Sequence, residues 1–282
     1  MHPETLAVIG LGAIGGSVAW QARSGGVRRV VGYSNRPAEG VQALKAGAIT
    51  HLADTLDKAV READLVVLAA PPEVNLGLLP RIAGRIRADA LVTDVGSVKM
   101  PVMAAAASAG LADRFVGGHP LAGTERSGFA AARPDRFHEV IVYVCPSGTP
   151  GGDKAAREVM NFWSECLGAH PVLINAEDHD RQLAWSSHLP QAVASALANA
   201  LHNPELAGVS FGTGARDTTR LAASDPELWI GVFLQNRVAL DGALGSAVES
   251  LENLRELVAT GDASGLRSYL QTAHAFRRGL DS

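Results

Sequence analysis

Short apolar runs recur through the first half of the chain, and each stops at a glycine, a proline or a polar residue. Four of them occupy residues 6–9, 30–33, 65–70 and 91–95. Runs that carry apolar residues on both faces are typical of buried parallel strands. Because the segments between them are long enough for crossover helices, the pattern predicts repeated βα units in a doubly wound parallel sheet. Residues 115–117, 140–144 and 172–174 predict later strands.

The pattern changes near residue 175. Beyond that point strand-like runs disappear, and apolar residues recur at the spacing of an α-helix. The first such series is Leu183, Leu189, Val193, Leu197 and Leu201, and residues 229–244 and 247–258 have the same period. The sequence therefore predicts an α/β domain over residues 1–174 and an all-α domain over residues 175–282.

Composition narrows the class of protein. The 282 residues are 47% hydrophobic and 19% charged, with a formal net charge of −4, which excludes a mainly disordered chain. No basic face is visible, so we expect no nucleic-acid partner. Cys145 and Cys166 form no CxxC pair, which indicates a reducing compartment and argues against structural zinc. No apolar run approaches the ~18 residues of a membrane span, and we expect a soluble cytoplasmic protein.

Residues 10–15, Gly-Leu-Gly-Ala-Ile-Gly, form a GxGxxG sequence between the first predicted strand and a helical segment. In that context the pattern indicates a dinucleotide-binding turn. Gly10 permits the tight turn, Gly12 lets the backbone approach a pyrophosphate, and Gly15 allows close packing of helix on strand. The helix N-terminus faces the negative charge. The predicted cofactor is therefore NADP or NAD.

The residues after the second predicted strand bear on the choice between these cofactors. NAD enzymes usually place Asp or Glu about 20 residues beyond the glycines, but here Ser34 and Arg36 follow the strand, with no acid at its end. A hydroxyl and a guanidinium suit a 2′-phosphate, so the sequence favours NADP. Glu39, the nearest acid, is expected to lie too far along the loop. The candidate cofactor residues are Gly10, Gly12, Ile14, Gly15, Ser34, Arg36, Pro71 and Ser97.

Three polar clusters follow predicted strands or open the helical region. They occupy residues 94–99, 117–128, and 178–180 together with 186–190. Ligands of open α/β sheets bind at the carboxyl ends of the strands, where the first two clusters fall. His119 lies in a glycine-rich loop and precedes a proline, which favours a functional histidine over a structural one.

Together these motifs resemble the prephenate/arogenate dehydrogenase family, the oxidative decarboxylases of tyrosine biosynthesis. The resemblance extends over nearly the whole chain and includes residues 216–220 and 225–229. It implies an N-terminal Rossmann fold and a helical C-terminal domain that forms a homodimer, with the interface bordering the active site. The implied substrate is prephenate, arogenate or both, which would lose a hydride from C4 to nicotinamide and then CO2.

The resemblance also implies roles for individual residues. His119 matches the general base that accepts a hydrogen bond from the 4-hydroxyl group, and Ser97 matches a serine that helps to hold the same group. His188 and Arg220 match residues at the polar ends of the substrate. Thr124, Glu125 and Asp217 match further positions of the cleft that binds the substrate, and Trp229 matches a substrate-site residue near the dimer-related active site.

Other residues of the motifs have simpler interpretations. His179, between Asp178 and Asp180, is expected to cap the first helix of the second domain, since acids are favourable at a helix N-terminus. Lys99 is expected to anchor its helix or to contact the cofactor. We expect no metal at the Asp-His-Asp cluster, because hydride transfer needs none and no third imidazole has suitable spacing.

Two alternatives stay open. One is another dehydrogenase with the same two kinds of domain, acting on 4-amino-4-deoxyprephenate or on a β-hydroxyacid. The β-hydroxyacid enzymes use a lysine of the second domain, and no lysine follows Lys154, which argues against them. The other is a non-enzymatic nucleotide-sensing protein, in which His119, Ser97 and Arg220 need not converge. Prephenate and arogenate differ at one remote carbon, where Glu125 either meets the ammonium group or lines a solvated loop.

Overall fold

The computed structural model describes residues 1–123 and 126–280, and its centre is an eight-stranded sheet. The strands are β1 (Thr5–Ile9), β2 (Arg29–Tyr33), β3 (His51–Leu52), β4 (Leu65–Leu68), β5 (Leu91–Asp94), β6 (Phe115–Pro120), β7 (Ile141–Cys145) and β8 (His170–Leu173). Their order is β3-β2-β1-β4-β5-β6-β7-β8, and all neighbours are parallel except β6 and β7. The first six strands have the order of a dinucleotide-binding Rossmann sheet.

Three helices pack on each face of this sheet. They are α1 (Ala13–Ser24), α2 (Pro37–Lys45), α3 (Leu56–Val60), α4 (Pro72–Ala83), α5 (Met100–Ser108) and α6 (Pro150–Asn161). Leu6 and Val8 of β1 join the apolar cluster of α1, α2 and α6, whereas Ala7 and Ile9 join the cluster of α3, α4 and α5. All four side chains are buried. This burial on both faces confirms the predicted doubly wound sheet.

The strand that the sequence pattern did not predict is β3. His51 and Leu52 are both exposed, and they join the sheet by backbone pairing with Val31 and Gly32 of β2. A two-residue edge strand buries no apolar face, so it leaves no periodic signal. The seven predicted strand runs all correspond to strands of the structure.

The C-terminal part of the described chain is helical. Its helices are α7 (Ala176–Leu183), α8 (Leu189–Leu201), α9 (Thr213–Thr219), α10 (Pro226–Gln235), α11 (Arg237–Thr260) and α12 (Ala263–Gly279). A π-helical turn, Ala184–His188, joins α7 to α8 without a break. The predicted helical segment 229–244 is divided at Asn236, where α10 ends and α11 begins. The predicted change from an α/β to an all-α architecture is confirmed.

Large apolar side chains of the last two helices face outward. Val248, Leu251 and Val258 share one face of α11 and are 51%, 60% and 62% exposed. Leu270 and Phe276 of α12 are also more than half exposed. Several large apolar side chains exposed on one helix face are typical of an interaction surface. Among the described residues, no helix has the length and apolar character that crossing a membrane requires.

Candidate functional site

The carboxyl ends of the parallel strands bring the predicted motifs to one edge of the sheet. β1 is followed by Gly10, β4 by Ala69, and β5 ends at Asp94. The strand pairing places these three ends side by side. β6 runs parallel to β5 and carries His119 next to its own carboxyl end. The glycine-rich turn and the candidate base therefore occupy the same edge.

The glycine-rich turn after β1 has the geometry of a pyrophosphate site. Gly10 has a φ angle of +100°, and a Cβ atom on it would lie 2.5 Å from the Ala69 carbonyl oxygen. A Cβ atom on Gly15 would lie 2.0 Å from the Gly10 carbonyl oxygen. Gly12 is the N-cap of α1, and the position of its absent Cβ has no described atom within 4 Å. A dinucleotide phosphate fits this open position at the start of α1.

The loop after β2 requires a correction. Glu39 does not lie too far along the loop, because its carboxylate turns back toward the end of β2. The Ser34 hydroxyl donates a 3.2 Å hydrogen bond to Glu39, and the Arg36 guanidinium lies 3.4 Å from the same carboxylate. Helix α2 begins at Pro37, so Glu39 is in its first turn, within reach of Ser34. The loop thus combines a hydroxyl, a guanidinium and a carboxylate.

A buried ion pair fixes the loop after β5 against β6. Lys99 Nζ lies 2.5 Å from Asp94 Oδ2 and donates a 2.7 Å hydrogen bond to the Gly118 carbonyl oxygen. Asp94 also accepts hydrogen bonds from the backbone N–H groups of Gly96 and Gly118. Both charged side chains are buried. Of the two roles expected for Lys99, the anchoring role is the one that these contacts support, since they hold the strand that carries His119.

His119 lies at the end of a hydrogen-bonded chain of buried side chains. Its Nδ1 atom is 2.9 Å from Nε2 of His179, and Nδ1 of His179 is 2.7 Å from Oδ1 of Asp180. Asp180 accepts two further hydrogen bonds, from the backbone N–H groups of Lys99 at 2.7 Å and Met100 at 2.8 Å. His179 is fully buried, while His119 is 9% exposed. The chain therefore connects α7 to the start of α5 and to the end of β6.

The prediction that His179 caps the first C-terminal helix is wrong. The N-cap of α7 is Asn175, whose side chain accepts a 2.7 Å hydrogen bond from the Asp178 N–H group. His179 comes four residues after the cap, on the face of α7 that packs against the sheet. Its ring meets the ring of Tyr143 on β7 edge to face, with the ring centres 5.6 Å apart. Its position on the buried face explains why it has no capping role.

A second candidate histidine, His188, is buried beside the hydrogen-bonded chain of His119, His179 and Asp180. His188 ends the π-helical turn, a distortion that is frequent at functional sites. Its Nδ1 atom lies 3.1 Å from Asn236 Nδ2, which also donates a 2.7 Å hydrogen bond to the Asp180 carbonyl oxygen. Its Nε2 atom is buried and has no hydrogen-bond partner among the described residues. Leaving a buried polar atom unpaired costs about 1–3 kcal/mol, so this nitrogen is suited to a ligand.

Burial also decides the charge of these imidazoles. Burial lowers the pKa of His119 well below its ordinary value, and the nearby His179 and Lys99 lower it further. Burial lowers the pKa of His179 as well. It lowers the pKa of His188 to about 4. Because desolvation opposes the imidazolium form, the three rings are neutral at neutral pH, and His119 is able to accept a proton.

The other predicted substrate residues have different surroundings. Ser97 is half-buried in the turn between β5 and α5, and Trp229 of α10 meets the His188 ring edge to face at 6.1 Å. Asp217 on α9 and Arg220 just after it are exposed. Among the described residues, no hydrogen bond or ion pair joins either of them to His119. Two predicted residues, Thr124 and Glu125, lie outside the described part of the chain.

Sequence reasoning missed Asn236 and the contacts of Asp180. The only signal for Asn236 was a polar residue inside an apolar helical segment. Asp180 belonged to a recognised motif, but its partner Met100 is 80 residues away, and local pattern carries no information on such a contact. In residues 1–123 and 126–280, no group of three potential metal ligands is found.

Known proteins resemble this chain over almost its whole length. Residues 18–173 match the family profile described as prephenate dehydrogenase, nucleotide-binding domain, and residues 175–272 match prephenate dehydrogenase, dimerization domain. A prephenate dehydrogenase of Bacillus subtilis is 34% identical, over 98% of this chain and 76% of its own. Prephenate dehydrogenase from A. aeolicus, solved with hydroxyphenyl propionate and NAD+, has a TM-score of 0.89 and 30% identity, covering 98% of both chains. Synechocystis arogenate dehydrogenase has a TM-score of 0.82 and 28% identity, covering 98% of this chain and 99% of its own.

Proposed function

The chain belongs to the prephenate dehydrogenase family, and we propose that it catalyses the oxidative decarboxylation of prephenate or arogenate with NAD(P). The products are CO2 and either 4-hydroxyphenylpyruvate or tyrosine. The observation that carries the proposal is the buried, neutral imidazole of His119, on the same edge of the sheet as the glycine turn. A non-enzymatic nucleotide sensor has no need of such a base.

His119 acts as the general base in this proposal. Its Nε2 atom accepts the proton of the 4-hydroxyl group while the C4–H bond breaks. The bound nicotinamide supplies the acceptor for the departing hydride. The bond to the ring carboxylate then breaks, its electron pair makes the ring aromatic, and CO2 leaves. His119 returns the proton to the phenolate oxygen, so the base is regenerated.

Other residues of the site hold or enclose the substrate in this proposal. Ser97, in the turn after β5, hydrogen-bonds the same 4-hydroxyl group. His188 and Arg220 bind the carboxylate groups of the substrate, since a ring N–H and a guanidinium both donate hydrogen bonds to carboxylates. Trp229 packs beside His188 and excludes water from it. Thr124, Glu125 and Asp217 complete the cleft, with Glu125 a candidate for the ammonium group that distinguishes arogenate.

The proposed cofactor is NADP rather than NAD, held by Gly10, Gly12, Ile14 and Gly15 together with Ser34, Arg36, Pro71 and Ser97. Arg36 is mostly exposed and its contact with Glu39 is long, at 3.4 Å, so the guanidinium is free to turn toward a 2′-phosphate. Arg36→Ala should therefore raise KM for NADP and leave KM for NAD nearly unchanged. Glu39→Gln, which removes the competing carboxylate, should lower KM for NADP. An equal effect of Arg36→Ala on both cofactors would contradict this assignment.

The two parts of the chain have separate tasks in this proposal. Residues 1–174 bind the dinucleotide, and residues 175–282 bind substrate and form a homodimer. The matched dimerization-domain profile and the exposed apolar face of α11 support the second task. A face with Val248, Leu251 and Val258 each more than half exposed gains stability when a second copy covers it.

The test is a turnover assay with four substrate and cofactor combinations. Purified protein receives prephenate or arogenate, each with NAD or NADP, and reduced nicotinamide is followed by absorbance. We expect turnover in at least one combination and the highest kcat/KM with NADP. The His119→Asn variant is the control, since it should bind the cofactor and lose turnover. Absence of turnover in all four combinations, with intact cofactor binding, would overturn the proposal. It would favour 4-amino-4-deoxyprephenate as the substrate, or a nucleotide sensor.

A further inference from the structure

Asp180 is connected to two histidines of the site. Its side chain is linked through His179 to His119, and its backbone carbonyl is linked through Asn236 to His188. We propose that these bonds hold the two histidines in opposite tautomers, with His179, Asp180 and Asn236 as positioning residues. Nε2 of His119 then carries a lone pair, whereas Nε2 of His188 carries a proton. In a neutral imidazole, the bond made by one ring nitrogen decides the state of the other.

The chain to His119 starts from backbone N–H groups, which can only donate. Those of Lys99 and Met100, at 2.7 and 2.8 Å, make both carboxylate oxygens of Asp180 acceptors. Nδ1 of His179, 2.7 Å from Oδ1, is then the donor of its contact. Nε2 of a neutral His179 has no proton and accepts from Nδ1 of His119 at 2.9 Å. The Nε2 atom of His119 is left unprotonated.

The chain to His188 starts from a carbonyl oxygen, which can only accept. The Asp180 carbonyl lies 2.7 Å from the Asn236 side chain, so the amide atom facing it is the NH2 group. The second hydrogen of this group is directed to Nδ1 of His188, 3.1 Å away, which therefore accepts. A neutral His188 then has its proton on Nε2. That N–H group is buried and has no partner among the described residues.

The two tautomers suit opposite tasks, an interpretation that rests on the proposed function. The lone pair on His119 receives the 4-hydroxyl proton, while the N–H group of His188 donates to a substrate carboxylate. Reversal of either tautomer removes its task, because a protonated Nε2 cannot accept and an unprotonated Nε2 repels an anion. Asp180 belongs to both hydrogen-bonded chains, so one residue positions both the base and the anion-binding group.

Nitrogen-15 NMR of the substrate-free protein tests the tautomers without using activity. Protein labelled with 15N-histidine is recorded at neutral pH, and ring signals are assigned by their loss in His119→Asn and His188→Asn. We expect His119 to have an unprotonated Nε2 and a protonated Nδ1, and His188 to have the reverse. A protonated Nε2 on His119 or an unprotonated Nε2 on His188 overturns the proposal. The turnover assay tests the reaction separately, so the failure of one proposal is distinguishable from that of the other.

Asp180→Asn tests the role of Asp180. The variant replaces one carboxylate oxygen by an NH2 group. Where this group takes the position of Oδ1, it faces Nδ1 of His179, which must then accept, and every proton along the hydrogen-bonded chain moves to the other end of its bond. Nε2 of His119 then becomes protonated in the NMR spectrum. We expect kcat/KM to fall by about 10²–10⁴-fold, the range for loss of a general base. In a Ser-His-Asp protease, where the Asp contacts the catalytic His directly, Asp→Asn lowers kcat about 10⁴-fold through the wrong tautomer.

The matched control is Asn175→Ala, which removes the N-cap of the same helix and leaves the chain to His119 intact. We expect it to lower stability but to keep the wild-type His119 signals and near wild-type kcat/KM. If Asp180→Asn does not fold, the wild-type spectrum still decides the tautomers. Equal losses of kcat/KM in both variants, with His119 signals unchanged in both, would show a merely structural role for Asp180.

Discussion

Lys99 and Asp94 show what burial demands of a charged side chain. Lys99 Nζ lies 2.5 Å from Asp94 Oδ2, and backbone groups of Gly96 and Gly118 supply the remaining hydrogen bonds of the pair. Removing one partner of such a pair costs about 3–5 kcal/mol, because the other charge stays buried and unpaired. The same burial keeps His119 neutral, since it has no carboxylate of its own. The charge of each site residue therefore follows from its partners as much as from its residue type.

The first prediction at this scale concerns His119. His119→Asn should lower kcat by about 10²–10⁴-fold and change KM far less, because a general base acts in the transition state. The pKa of His119 lies well below 6.5, so the wild-type kcat/KM should stay level through neutral pH and decline only under more acidic conditions. Initial rates across pH check both statements. A His119→Asn variant with normal kcat at any pH would rule out the assigned role.

The second prediction concerns the stability of the folded protein in acid, which depends on His188. The pKa of His188 is about 4 in the folded protein, against an ordinary 6.5, so the unfolded chain binds the proton more readily. The free energy of unfolding should therefore be highest above pH 6.5 and fall as the pH drops towards 4, by up to about 3 kcal/mol. Urea unfolding across this range measures the slope. His188→Asn should flatten it, while the exposed control His202→Asn should not; equal slopes in all three proteins would contradict the prediction.

Gly12 and Gly15 belong to the same glycine-rich segment at the start of α1, but their surroundings differ. A Cβ atom on Gly15 would lie 2.0 Å from a backbone oxygen, whereas one on Gly12 would meet no described atom within 4 Å. Gly15→Ala should therefore destabilise the protein by about 1–3 kcal/mol through overpacking. Gly12→Ala should leave the Tm of the protein unchanged but weaken binding of the dinucleotide at least about tenfold, or ~1.4 kcal/mol. Thermal unfolding and calorimetric titration check the pair, and tight cofactor binding by Gly12→Ala would refute the assignment.

The elements that the sequence predicted well are those with a periodic reason to exist. Strand β1 is buried on both faces, so its apolar run was visible, and α8 follows a regular apolar spacing. The two-residue β3 and the π-helical turn Ala184–His188 were not predicted. The first depends on backbone pairing alone, and the second depends on how α7 and α8 pack, so neither leaves a repeat in the sequence.

At the scale of the whole molecule, the sheet and the helical region meet through the site itself. Asp180 on α7 accepts the backbone N–H groups that begin α5, and His179 reaches His119 on β6. The sequence pointed to His119 as a candidate base because its motif is local. It could not identify the partners of His119, because they come from a helix 60 residues later and depend on how the two parts pack. The candidate base was visible in the sequence, whereas the hydrogen bonds that hold it became visible only in the structure.

The last prediction concerns assembly. Leu251 is 60% exposed in the middle of α11, on the same face as Val248 and Val258. If a second copy covers this face, Leu251→Glu places an unpaired charge in an apolar interface, and dimer affinity should fall at least about a hundredfold, or ~2.8 kcal/mol. The control Val41→Glu changes an exposed valine of α2 and should leave the mass of the assembled protein in solution as it is in the wild type. Sedimentation at several concentrations measures both. Dimers of equal affinity in the two variants would place the interface elsewhere.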